Sequence, residues 1–182
     1  MKVICLTGKM AAGKNYIADR LASEGAAVTD LDKTVHEAIS ILETRILEEF
    51  SAPAQTAGIS LKNEDGLLNR RALGQLVFSD STLLARQEAL VYPKVIELTK
   101  DFIDENRDRD VILNATVLYK TPELLKLCDL IYFVDAPFFK RLWRAKKRDG
   151  MPLIQILKRF KSQKGLLKKY RESQIPIVII KN

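Results

Sequence analysis

Residues 2–15 read KVICLTGKMAAGKN, and their order predicts a strand, a loop and the start of a helix. The run Lys2–Thr7 is apolar and partly β-branched, and it stops at Gly8, as expected for a buried strand. From Asn15 to Glu24 the apolar residues recur at helical spacing, and Gly25 follows as a terminator. A strand joined to a helix by a glycine-containing loop is the opening unit of an α/β fold.

The loop GKMAAGKN, residues 8–15, has the GxxxxGK arrangement between a strand and a helix. Its glycines let successive N–H groups point at phosphate oxygens, the helix N-terminus adds partial positive charge, and Lys14 reaches the β- and γ-phosphates. The alternative is a strand–helix turn without a ligand. The nucleotide-binding residues predicted here are Gly8, Lys9, Met10, Ala11, Ala12, Gly13, Lys14, Asn15 and Tyr16.

The residue after the loop lysine is Asn15, where this motif usually has Ser or Thr. That hydroxyl ligates magnesium in the usual motif. The amide oxygen of Asn15 is therefore our candidate metal ligand, either directly or through a water molecule.

The rest of the chain alternates short apolar runs with helical patterns. Strands are predicted at 26–29, 111–113, 130–134 and 175–180, and helices at 33–50, 69–78, 81–106, 122–126 and 137–148, with a second basic helix after residue 152. Residues 51–65 are predicted to be a polar connection, and Pro93 to kink or break its helix. The pattern predicts a three-layer α/β fold, a five-stranded parallel sheet with helices on both faces.

Two carboxylates, Asp30 and Asp32, follow the second predicted strand. Ligands of open α/β sheets bind at this end of the strands. A carboxylate here can accept the proton of a substrate hydroxyl during phosphoryl transfer, or it can cap the following helix. Alternation favours Asp32 as the functional residue.

The net charge of +7 is concentrated at one end of the chain. Residues 140–182 contain fourteen basic and two acidic residues, whereas the remainder has a net charge of −5. Arg144 and Arg148 lie one helical turn apart, and Arg159 belongs to the next helix. Arginines of a helix–break–helix that closes over a triphosphate neutralise developing charge, although such residues also form ordinary solvated faces.

Composition excludes several classes of protein. No apolar run is long enough to cross a bilayer, and Met1–Thr7 does not form a signal peptide. Cys5 and Cys128 lack metal-ligand spacing and are expected to be free thiols, so we expect a cytoplasmic protein without a membrane partner. Few aromatic residues accompany the basic segment, and a nucleic-acid partner is not expected.

These residues together resemble the dephospho-coenzyme A kinase family. The resemblance covers nearly the whole chain. It is carried by LTGKMAAGKNYIADRLASEGAAVTDLD (6–32), GLLNRRALGQLVFSD (66–80), VDAPFFKRLWRAKKRDG (134–150), Arg159 and Gln163. The resemblance implies a single P-loop kinase domain with a core at 1–31, 107–139 and 173–182, a helical acceptor-binding region at 32–106 and a basic helical lid at 140–165.

It also implies transfer of the ATP γ-phosphoryl group to the ribose 3′-hydroxyl of dephospho-coenzyme A, with Mg²⁺. Asp32 matches the family's base and Lys14 its loop lysine, so these are the expected catalytic residues. Arg144 and Arg148 are expected to bind ATP. The expected acceptor-binding residues are Asp32, Arg70, Tyr92 and Arg159.

The chain departs from the family pattern at Asn15, Tyr92, Asn114 and Lys120. Three alternatives therefore stay open: a kinase of another small acceptor such as a nucleoside or nucleotide, a catalytically weakened nucleotide-binding protein, and a nucleic-acid binder. The oligomeric state has no signature in the sequence.

Overall fold

The computed structural model describes residues 1–182, which form two compact units, residues 1–31 with 101–182, and residues 32–100. The first unit contains a five-stranded parallel sheet. Its strands are β1 (Val3–Gly8), β2 (Ala27–Asp30), β3 (Val111–Asn114), β4 (Leu130–Asp135) and β5 (Ile177–Lys181), in the spatial order β2-β3-β1-β4-β5. The predicted five-stranded parallel sheet is confirmed.

Nine helices connect and flank the strands. They are α1 (Lys14–Ser23), α2 (Leu31–Ile41), α3 (Glu43–Thr56), α4 (Arg70–Ser79), α5 (Ser81–Glu105), α6 (Pro122–Leu125), α7 (Phe138–Asp149), α8 (Leu153–Ser162) and α9 (Leu166–Arg171). None of them combines the length and the apolar character that a membrane span requires.

The central strand β1 is buried along its whole length, as its continuous apolar sequence predicts. Leu6 lies opposite Asn114 of β3, and Gly8 lies opposite Val134 of β4. A Cβ at Gly8 would overlap the Val134 carbonyl group, so only glycine lets β1 end this close to β4. Because all strands are parallel, their carboxyl ends meet at the edge where the loop 8–13 begins.

The second unit is helical. Its helix α4 starts at an Asn69 cap, whose Oδ1 accepts a hydrogen bond from the Ala72 N–H at 3.1 Å. Helices α3 and α5 are joined by a hydrogen bond of 3.0 Å from Arg86 Nε to Glu49 Oε1. These contacts lie within residues 32–100.

Three predicted boundaries are wrong. The helix expected at 33–50 is two helices, because the chain turns at Leu42, and α3 then continues through Pro53 into the expected polar connection. Helix α5 runs unbroken through Pro93. There the buried neighbours Val91 and Val95 supply packing that offsets the hydrogen bond that proline removes.

Candidate functional site

The loop between β1 and α1 presents backbone N–H groups at a helix N-terminus. Its last residue, Gly13, has φ of 97° and caps α1 without any side-chain hydrogen bond. Ala11 also adopts a positive φ, 60°, which costs an L-residue about 1–2 kcal/mol. The first turn of α1 has no acidic residue, so its positive end stays available to an anion.

The tip of this loop is held by both of its backbone polar groups at Met10. The Met10 N–H donates to Gln163 Oε1 at 2.6 Å, and Arg141 Nε donates to the Met10 carbonyl at 3.0 Å. Arg141 is only 6% exposed, and its guanidinium lies 4.3 Å from the ring centre of Phe160. Burial lowers the pKa of Arg141, but an arginine remains charged at neutral pH.

A second attachment point of the loop is the Ala12 carbonyl. Arg144 Nη1 donates to this oxygen at 3.2 Å, and Asn182 Nδ2 donates to it at 2.9 Å. Asn182 is positioned by its own backbone, because its N–H donates to the Asp135 carbonyl at 2.9 Å. The segment after β5 and helix α7 thus converge on one loop carbonyl.

Lys9 is directed away from the loop. Its Nζ lies 3.1 Å from Asp135 Oδ2, and both side chains are about one-third exposed. An ion pair this open to solvent contributes about 0–1 kcal/mol, so its main effect is to orient the two side chains.

A cleft of about 670 Å³ opens over the loop. Every charged side chain that lines it is basic. The lining residues are Gly8–Tyr16, Thr116, Trp143, Arg144, Lys147, Arg148 and Gln163. Lys14 begins α1 here, and Trp143 is 63% exposed. A concave site with only positive charge and inward backbone N–H groups suits a polyphosphate.

The remaining basic residues predicted for the lid are exposed. Arg148 reaches the rim of the cleft and forms a 2.6 Å ion pair from its Nε to Asp149 Oδ1. The hydrogen bond from Arg148 lowers the pKa of that carboxyl, and the nearby positive charge of Arg159 acts in the same direction. Arg159 lies in the last turn of α8, outside the residues that line the cleft.

Two asparagines meet at the start of α1. Asn114 ends β3 and is only 4% exposed, and its Nδ2 lies 3.5 Å from Asn15 Oδ1, at the limit of a hydrogen bond. Asn114 Oδ1 is buried without a hydrogen-bond partner. No cluster of three or more His, Cys, Asp or Glu side chains capable of holding a metal occurs in the chain.

Three predicted site residues belong to the second unit. Asp32 is an exposed residue in the first turn of α2, and Arg70 is exposed at the first position of α4. Tyr92 is half-buried in α5, and its hydroxyl donates to Glu88 Oε1 at 3.0 Å. Burial, reinforced by Glu88, raises the pKa of Tyr92 to about 12, so its hydroxyl is protonated at neutral pH.

Comparison with known proteins agrees with this geometry. The family model described as dephospho-CoA kinase matches residues 2–182. The chain belongs to the dephospho-CoA kinase family. A dephospho-CoA kinase from Treponema denticola is 38% identical over 99% of this chain and 82% of its own length. One from Treponema pallidum is 36% identical over 90% of this chain and 78% of its own length.

Solved structures share the fold of this dephospho-CoA kinase family member. A structure from Thermus thermophilus superposes with a TM-score of 0.80 at 27% identity, covering 100% of this chain and 89% of that one. The dephospho-CoA kinase from Campylobacter jejuni gives 0.64 at 20% identity, covering 100% and 88%. The predicted family, the P-loop kinase fold and the class of enzyme, a kinase with an alcohol acceptor, are confirmed.

Four residues of this kinase were not among the predicted site residues: Arg141, Gln163, Asn182 and Asn114. Asn114 and Asn182 each follow the carboxyl end of a parallel strand, and the rule that ligands bind there would have pointed to both. Gln163 was noted only as part of the family resemblance. Arg141 lies in the basic segment, where nothing local distinguishes it from its solvated neighbours.

Proposed function

We propose that this chain transfers the γ-phosphoryl group of ATP to the ribose 3′-hydroxyl of dephospho-coenzyme A, with Mg²⁺, to give coenzyme A and ADP. The observation that carries the proposal is the cleft over the loop 8–13, which combines inward N–H groups with exclusively basic charged residues. Membership of the dephospho-CoA kinase family supports the choice of acceptor.

The nucleotide phosphates bind to the loop N–H groups and to Lys14. Arg144 and Arg148 neutralise the charge that develops on the transferred group, because phosphoryl transfer depends mainly on positioning and electrostatic stabilisation. Arg144 donates to the Ala12 carbonyl in the ligand-free structure, so it is already held at the loop. Tyr16, exposed in the first turn of α1, lines the same cleft and contacts the nucleotide.

Asp32 serves as the general base. In the transfer step the ribose 3′-oxygen forms a bond to the γ-phosphorus while the bond from that phosphorus to the β,γ-bridging oxygen breaks. The hydroxyl proton passes to the Asp32 carboxylate, and ADP leaves. The first turn of α2 suits an ionised carboxylate, because the helix N-terminus favours negative charge.

The phosphates and sugar of the acceptor are bound by Arg70, Arg159 and Tyr92. Both guanidinium groups are exposed, and their planar donor geometry matches phosphate oxygens. The protonated Tyr92 hydroxyl supplies a neutral polar contact. These acceptor contacts extend to residues 32–106, which we assign to acceptor binding, while residues 140–165 act as the lid.

The donor set fits Mg²⁺, which prefers oxygen ligands and retains several waters. Asn15 Oδ1 is such an oxygen, and the partnerless Asn114 Oδ1 accepts a hydrogen bond from a bound water. When bound, Mg²⁺ offsets the negative charge of the β- and γ-phosphates. Two buried free thiols support a cytoplasmic location, where thiols stay reduced, and the proposed partners are these small-molecule substrates alone.

A coupled assay of ADP release tests the proposal. Purified protein with ATP and Mg²⁺ is offered dephospho-coenzyme A, adenosine, AMP and shikimate in parallel. We expect turnover with dephospho-coenzyme A at least 100-fold above the other acceptors. Turnover confined to another acceptor, or ADP binding without any turnover, contradicts it.

A further inference from the structure

We propose that Asn114 and Asn15 form an uncharged two-amide site that binds a hydrated divalent cation only when the nucleotide supplies the negative charge. This inference rests on the proposed function, because it concerns the cation that accompanies ATP. It makes Asn114 a positioning residue, one that orients Asn15 and the first hydration shell of the cation.

The fold places the two amides together. Asn114 is the last residue of β3 and lies opposite Leu6 of the central strand, immediately before the loop begins. Asn15 is the second residue of α1, directly after the loop lysine. Their side chains approach to 3.5 Å between Asn114 Nδ2 and Asn15 Oδ1.

The contact fixes the orientation of the Asn114 amide. Rotating it by 180° would bring its Oδ1 against Asn15 Oδ1, two acceptors facing each other, so the nitrogen faces Asn15. The oxygen then points to a buried position where the protein offers no donor. An unsatisfied buried acceptor costs about 1–3 kcal/mol, and a water bound to a cation is a strong donor that removes this cost.

The absence of charge determines when the cation binds. Neither amide carries a charge, and the carboxylates at the same edge of the sheet, Asp30 and Asp135, already interact with other groups. The basic residues of the cleft, among them Lys14 and Arg144, repel a free divalent cation. The four negative charges of ATP reverse this balance, so metal and nucleotide are expected to bind together.

Mn²⁺ measured by electron paramagnetic resonance tests the inference without any turnover. The loss of the free Mn²⁺ signal is titrated with wild-type protein, N114D, N114A and N15T, each with and without ADP. The matched control is N106D, because Asn106 is also partly buried in the first unit but hydrogen-bonds the Phe102 carbonyl. ADP affinity without metal is measured separately by Trp143 fluorescence.

We expect wild-type protein to bind Mn²⁺ with ADP and at least 100-fold more weakly without it. N114D gains at least tenfold in Mn²⁺ affinity without ADP, since it adds a charge beside the ion. N114A loses about tenfold in the presence of ADP, whereas N15T keeps ADP-dependent binding and N106D behaves as wild type. In every variant, ADP affinity without metal is unchanged.

Two results overturn the inference: equal Mn²⁺ affinity with and without ADP in wild type, or no change of Mn²⁺ affinity in N114D and N114A. Because N114D is nearly isosteric with the native residue, it decides the matter even where N114A fails to fold. Protein that binds ADP and Mn²⁺ as described but does not use dephospho-coenzyme A refutes the proposed acceptor and leaves the cation site standing.

Discussion

Gln163 Oε1 accepts a hydrogen bond from the Met10 N–H at 2.6 Å, and these residues are 153 positions apart in the chain. This bond ties the tip of the phosphate-binding loop to the segment that follows α8. Met10 and Ala11 also pack against Ala145, Ile156 and Phe160. The basic helices α7 and α8 are therefore built onto the loop, so a change in either is expected to alter nucleotide binding.

Gln163→Ala tests this attachment. Loss of one hydrogen bond of about 1 kcal/mol loosens the loop and is expected to raise KM for ATP about fivefold with little change in kcat. Steady-state kinetics and ADP affinity from Trp143 fluorescence measure the effect. Gln155→Ala, on the exposed side of α8, is the control and leaves both unchanged. An unaltered KM in Gln163→Ala would show that the bond does not set the loop conformation.

Ala11 and Gly13 provide opposite backbone tests. Ala11 has φ of 60°, so Ala11→Gly relieves strain and is expected to raise the free energy of unfolding by about 0.5–1 kcal/mol. Gly13→Ala adds strain, and its Cβ collides with the Asn182 amide and lies 3.3 Å from Arg144 Nη1.

We therefore expect Gly13→Ala to weaken ADP binding at least tenfold, while Ala11→Gly keeps wild-type affinity. Urea unfolding and fluorescence titration give the two quantities. Destabilisation by Ala11→Gly, or full affinity in Gly13→Ala, contradicts the described loop geometry.

Asp32→Asn tests the proposed base. The amide cannot take the hydroxyl proton, so kcat is expected to fall about 100-fold or more, with KM for ATP nearly unchanged. Glu37→Gln, which removes an exposed carboxylate from the same helix, serves as the control and retains activity. Full turnover in Asp32→Asn would exclude Asp32 as the base.

The two thiols report on the core. Burial raises the pKa of Cys128 to about 12 and that of Cys5 well above its ordinary value. The folded state thus favours the protonated thiols. Their contribution to stability is complete below the ordinary thiol pKa of about 8.5 and declines as pH rises towards about 12.

At pH 8 we expect an aromatic disulfide reagent to leave both cysteines unmodified in the native protein and to label both in urea. Rapid labelling of either thiol without denaturant contradicts the burial described for them.

The sequence predicted the features that depend on local order. The strand, the glycine loop and the helix within residues 2–24 are contiguous, so their pattern predicts both the sheet and the phosphate loop. Helix boundaries at Leu42 and Pro93 depend on packing within the helical unit, and tertiary contacts outweighed the local proline signals there.

The site was predicted only where its residues are close in the chain. Lys14 and Asn15 follow from the motif, whereas Asn182 reaches the Ala12 carbonyl from 170 residues away. Such contacts arise because parallel strands bring their carboxyl ends to one edge. Arg141 could not be separated from its basic neighbours, since its burial against Phe160 is a property of the packed helices α7 and α8.

The identity of the phosphorylated product tests the central proposal most directly. Dephospho-coenzyme A is incubated with ATP, Mg²⁺ and the enzyme, and the product is analysed by mass spectrometry, by ³¹P NMR and by co-elution with coenzyme A and with its 2′-phosphate isomer. We predict one added phosphoryl group, a monoester at the ribose 3′-oxygen and co-elution with coenzyme A. Phosphate at the 2′-oxygen, or unchanged dephospho-coenzyme A after prolonged incubation with protein that binds ADP, would contradict it.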